Sequence, residues 1–69
     1  MERQPVDSSS IASVGYSPDS ETLEIEFKNQ TIYEYYNVPQ VIYDQLMEAG
    51  SVGAYFSANI RNVFANSRV

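Results

Sequence analysis

Glu21-Thr22-Leu23-Glu24-Ile25-Glu26-Phe27-Lys28-Asn29-Gln30-Thr31-Ile32-Tyr33-Glu34-Tyr35-Tyr36 is the stretch on which the architecture turns. In its first half Leu23, Ile25 and Phe27 alternate with Thr22, Glu24 and Glu26, the period-two pattern of a half-buried strand with one apolar and one acidic face. Its second half, 31–36, is β-branched and aromatic. Lys28-Asn29-Gln30 between the halves reverses the chain, so the stretch predicts a β-hairpin. A two-residue loop at Asn29-Gln30 would turn Ile32, Glu34 and Tyr36 to the core and leave Tyr33 and Tyr35 outside, beside Glu24 and Glu26. A three-residue loop, a type I turn whose last residue is left-handed, sets Tyr33 and Tyr35 with Leu23, Ile25 and Phe27 and keeps Glu34 in solvent. The second register is favoured, because the first buries a carboxylate with no cationic partner in view.

Before the hairpin, Ile11, Val14 and Tyr16 lie in a run of small and β-branched residues that ends in the turn formers Ser17-Pro18-Asp19-Ser20. This is a third strand. Ile11 and Val14 are three apart, so either Ile11 faces away from the core or a bulge near Gly15 resets the register. Residues 1–7 are polar and aperiodic and read as a flexible N-terminal arm.

After the hairpin, Pro39 stands where a helix can begin. Ile42, Leu46 and Ala49 follow on one helical face, flanked by Tyr43 and Met47, and Gly50 is a natural stop. Ser51 can cap a second helix, along which Val52, Phe56, Ile60 and Val63 or Phe64 form an apolar stripe. That helix frays toward 67–69. The expected fold is therefore α+β: a three-stranded antiparallel meander followed by two helices packed on one face, in the order β-β-β-α-α, as a single domain over 8–66.

Composition narrows the function. The 69 residues are 43% hydrophobic and include nine aromatics, which marks a folded chain with a small core. There is no cysteine and no histidine, so disulfides, Cys/His zinc sites and Ser-His-Asp or Cys-His catalysis are excluded. No catalytic residue, metal ligand or cofactor site is assigned. The absence of cysteine and of a leader-like start fits a cytoplasmic protein, and no apolar run is long enough to span a membrane. Nine acidic residues against four basic ones give a net charge of −5, which repels polyanions at long range. Only Arg3, Lys28, Arg61 and Arg68 can contact phosphate.

Four groups of residues invite a functional reading, each beside a structural one. Glu24, Glu26 and Glu34 share a sheet face in the favoured register and offer oxygen ligands to a hard cation, although a solvated polar face has the same pattern. Tyr33 and Tyr35 can stack on nucleobases or anchor a partner, and can equally pack the core with their hydroxyls at its rim. Ser51 and Gly53 open the second helix, where backbone N–H groups can hold an anion; capping and close approach to the first helix explain them as well. Arg61 faces solvent or pairs with Asp44 or Glu48.

Val6, Ser8-Ser9, Ile11, Val14-Gly15-Tyr16, Leu23, Phe27, Tyr33-Glu34-Tyr35, Val38-Pro39, Tyr43, Ala49, Ser51, Gly53-Ala54-Tyr55-Phe56 and Ile60-Arg61 form an ordered set over nearly the whole chain. This set resembles the KTSC domain family. Members occur at the C-terminus of some bacterial lysyl-tRNA synthetases and as short single-domain proteins of unknown function. The resemblance makes Tyr33 and Tyr35 the family's Tyr-any-Tyr hallmark. It also places Gly where this chain has Gln30, and Asn or another polar residue where it has Ser57. It implies a non-enzymatic binding module, in contact with RNA or a ribonucleoprotein. The alternative is a protein–protein module, a monomer or weak homodimer joined through an open sheet edge or through Ile32 and Tyr36.

Overall fold

The computed structural model describes all 69 residues. Three strands form the expected meander: β2 (Ile11–Ser17), β3 (Thr22–Phe27) and β4 (Ile32–Tyr35). Two helices follow, α1 (Gln40–Glu48) and α2 (Val52–Asn59). The expectation of three strands is corrected, because each chain end adds one. Arg3–Pro5, within the segment read as an arm, is β1, and Asn66–Arg68 is β5. The sheet is antiparallel throughout, in the order β1-β2-β3-β4-β5. Neither added strand has an apolar periodicity of its own, since β5 is exposed at every residue and β1 at two of three. Their hydrogen bonds are supplied by β2 and β4, and the bonds from Val6 N to Ala12 O and from Val69 N to Ile32 O extend the pairing past the strand ends.

The hairpin takes the three-residue loop. Ile25 lies opposite Tyr33 and Leu23 opposite Tyr35, so both tyrosines share the face of the core. Phe27 N donates to Thr31 O and Gln30 N to Phe27 O, both at 2.9 Å, which closes the turn over Lys28-Asn29-Gln30. Gln30 has φ 73°, the left-handed conformation such a loop requires of its last residue. A Cβ is disfavoured there. Replacing Gln30 by Gly is expected to raise stability by about 0.5–1 kcal/mol, the relief of left-handed strain less the added freedom of the unfolded chain. A thermal melt would show this as a rise of about 2–6 °C; a fall would contradict this turn.

In β2 the spacing of Ile11 and Val14 is resolved by a bulge at Ala12, not at Gly15: Ile11 pairs with Phe27 and Ser13 with Glu26. Both Ile11 and Val14 therefore face inward and are fully buried. Pro39 is the N-cap of α1, with φ −63° and ψ 149°. Ser51 Oγ accepts from Ala54 N at 3.2 Å, the cap expected of α2. That helix ends at Asn59, earlier than its apolar stripe implies, because Ile60 leaves helical geometry at φ −125°. The turn that follows leaves Val63 exposed and carries the chain back to β4 as β5.

Leu46 of α1 and Val52 and Phe56 of α2, with Ile60 just beyond, pack on Ile11, Val14, Leu23, Ile25 and Tyr35. Both helices thus cover one sheet face. No helix is long and apolar enough to cross a membrane. On the opposite face Arg3 reaches over Gly15, pairs with Glu24 and donates from Nε to Ser13 Oγ at 3.1 Å, and Ser13 in turn donates to Glu26 at 2.8 Å. Arg3 occupies the centre of the carboxylate face read above as a possible cation site, and no group of three or more carboxylates is arranged to hold a metal ion.

Candidate functional site

A cleft of about 680 Å³ opens on the helix-bearing side of the sheet, where the hairpin loop, β4 and the turn after α2 meet. The register makes its floor. Phe27, Tyr33 and Tyr35 project to one side of adjacent strands, with Phe27 edge-on to Tyr33 at 5.9 Å and Tyr33 tilted on Tyr35 at 6.5 Å. Phe56 supports the floor from α2, edge-on to both Phe27 and Tyr35 at 5.6 and 5.4 Å.

Two cations stand at the rim: Lys28 in the hairpin loop and Arg61 just past α2. The early end of α2 places the second of these. Of the two settings expected for Arg61 it takes the solvent-facing one and makes no ion pair with Asp44 or Glu48; its guanidinium stands over Phe56, 5.3 Å from the ring centroid. Arg68 pairs with Tyr33 in the β4–β5 ladder and belongs to the same sheet face. The remaining basic side chain, Arg3, is taken up by Glu24 and Glu26 on the other face.

None of the nine acidic residues lines the cleft. A second cavity of about 650 Å³, beside Tyr16 and Tyr43, has the opposite character and carries Glu2 and Glu34 without Lys or Arg. An acidic chain has therefore gathered its unpaired cations about one aromatic surface. Such a surface attracts anions at short range although the molecule repels them at long range.

Tyr35 is 4% exposed, and burial pushes its hydroxyl above the usual tyrosine range; Arg61 pulls it down by less, and Tyr33 pushes it up further. At neutral pH it is an uncharged donor. Its hydroxyl has no partner within the chain, yet no buried side-chain oxygen is sealed off unsatisfied, so the hydroxyl opens on the cleft. Tyr16 is raised by burial, then by Glu21 and Asp44, but its role is structural: it stacks on Tyr43 at 4.8 Å and donates to Val38 O.

Of the residues singled out from the sequence, Tyr33, Tyr35 and Arg61 come together here, while Ser51 and Gly53 do not line the cleft. Gly53 admits the loop before β2 and not the first helix: a Cβ there would lie 3.3 Å from Ser8 Oγ and 3.4 Å from Ser10 Oγ. Ser57 is exposed on α2, outside the cleft. Asn29, Asn62 and Asn66 add amides from three separate elements, and no sequence signal marked them.

Residues 7–64 match the KTSC domain. The chain belongs to the KTSC domain family. An uncharacterized protein of Stutzerimonas stutzeri is 40% identical over 57 residues, which are 83% of this chain and 80% of that one. The crystal structure of a KTSC domain protein from Yersinia pestis covers 99% of this chain and 96% of its own, with a TM-score of 0.96 and 41% identity. A lysine–tRNA ligase of a Nostoc species is 39% identical over 54 residues; these are 78% of this chain and 10% of the ligase. The KTSC fold thus occurs as a short protein and as a small part of a long one.

Proposed function

We propose that this KTSC domain is a non-enzymatic binding module that contacts RNA through the cleft between the hairpin loop and the turn after α2. The observation that carries the reading is the segregation of charge: Lys28 and Arg61 flank three aromatic rings, with no carboxylate among the lining residues of a chain of net charge −5. Cations neutralise phosphates, and tyrosines offer flat surfaces to bases. The similarity to lysine–tRNA ligases, proteins that act on an RNA, points the same way. A second copy of the chain has less in its favour as the partner: the edge strands are three residues long, and Ile32 and Tyr36 are half-buried, with the Tyr36 hydroxyl donating to Glu34 at 3.3 Å.

Two phosphate contacts give a log–log salt slope of about −1.4 on a flexible single-stranded segment. Binding of labelled bulk tRNA, read by fluorescence anisotropy, should therefore weaken about sevenfold between 50 and 200 mM salt. Lys28→Gln should halve the slope, to about −0.7. Binding that ignores both salt and Lys28, or no binding at either salt, would refute the reading and redirect the search to protein partners.

A further inference from the structure

Resting on that reading, we infer that the cleft receives an unpaired base and does not serve merely as a strip that tracks phosphates. A phosphate strip needs cations alone. Here three of the eleven lining residues are aromatic and lie side by side on adjacent strands, and two features of the cleft suit a planar, hydrogen-bonding ligand. The first is the Tyr35 hydroxyl, attached to a ring that is 4% exposed, without a partner in the chain and open to the cleft. A hydroxyl so placed donates to an acceptor that enters the cleft, and a base edge supplies one. The second is the half-buried ring of Tyr33, which lines the cleft and meets Phe27 nearly at right angles, 5.9 Å between centroids.

The rim provides the complementary polar set. Asn29 Oδ1 is engaged by Thr31 N and Oγ1 at 3.1 and 2.6 Å, which leaves its amino group free. Asn66 uses its amino group on Phe64 O at 3.3 Å, which leaves its carbonyl free. Asn62 keeps both. Donors and acceptors in one small space match base edges, which present both kinds of group. Arg61, already held over Phe56 at 5.3 Å, stands ready for the adjoining phosphate without a carboxylate to displace. The open cleft, about 680 Å³, has room for a small planar ligand. A duplex cannot use this floor, because its base faces are stacked on one another and its accessible groove is shallow.

The test compares four labelled octamers of one sequence by anisotropy: single-stranded RNA, the same RNA in duplex, an abasic ribose-phosphate octamer and single-stranded DNA. Single-stranded RNA should bind about tenfold more tightly than the duplex or the abasic strand, and Tyr33→Ala should remove most of that margin. Tyr33→Phe, which keeps the ring, should retain the margin. Tyr35→Phe, which removes only the hydroxyl, should weaken single-stranded binding about two- to tenfold with the fold intact. Equal binding of the abasic and normal strands would overturn the base site while leaving a phosphate-contacting RNA module in place. No binding by any octamer would overturn both readings. DNA bound as tightly as RNA would support the base site, which reads the base and not the sugar.

Discussion

Phe56→Ala is expected to destabilise the domain by about 3–5 kcal/mol, the range for removing a buried aromatic ring from a core that cannot fully collapse. Phe56 is 1% exposed and is the largest fully buried side chain. It touches both ends of the design: the core through Tyr35 and the floor of the cleft through Phe27, each edge-on within 6 Å, and it carries Arg61 on its face. A chain of 69 residues with ordinary stability has about 3–10 kcal/mol in total, so this substitution removes about a third or more of it. Urea denaturation of both proteins measures the difference. A cost below about 1 kcal/mol would mean that α2 does not seal this sheet face. Tyr33→Ala removes a half-buried ring and should cost less, so stability separates the residue that builds the cleft from the one that lines it.

Much of this arrangement was legible in the sequence because the deciding physics is local. Alternation of Leu23, Ile25 and Phe27 with acidic residues, together with the cost of burying Glu34, was enough to choose the register, and the positive φ of Gln30 bears that choice out. The cap at Ser51 was readable for the same reason. What escaped was non-local. Strands β1 and β5 carry no apolar pattern, because an edge strand of three exposed residues gets its hydrogen bonds from the neighbour and not from its own sequence. The apolar stripe overstates the length of α2: Val63 and Phe64 continue it, but Ile60 breaks the geometry, and that break carries Arg61 to the cleft and the chain back to β4. The net charge is likewise silent on where the charges lie. A net charge of −5 averages over a molecule whose Lys28 and Arg61 meet on one side while Arg3 is spent on the other.

The non-local contact most open to experiment is the one that holds β1, and Gly15→Val is expected to break it at a cost of about 1–3 kcal/mol, the usual penalty for forcing bulk into a filled space. Arg3 lies opposite Gly15, which in turn lies opposite Glu24, so the arginine stem must cross over Gly15 to reach the carboxylate. A Cβ at position 15 would lie 2.8 Å from the Glu2 carbonyl oxygen and 2.9 Å from Arg3 Cγ. The side chain can swing aside, but the carbonyl belongs to the backbone and moves only if the strand does. Lifting β1 also separates Arg3 from Glu24, which is 9% exposed; water then reaches the carboxylate, and that rehydration keeps the cost from growing further. Gly50→Ala is the control, because a Cβ there meets nothing within 4 Å, and its effect should be neutral or slightly stabilising. Amide hydrogen exchange gives the direct readout. In Gly15→Val, protection should vanish along 3–6 and at the β2 amides that pair with β1, while β3 and β4 keep theirs. Protection that persists along β1, with an unchanged melting temperature, would show that Arg3 reaches Glu24 by another route and that Gly15 is not what holds the first strand in place.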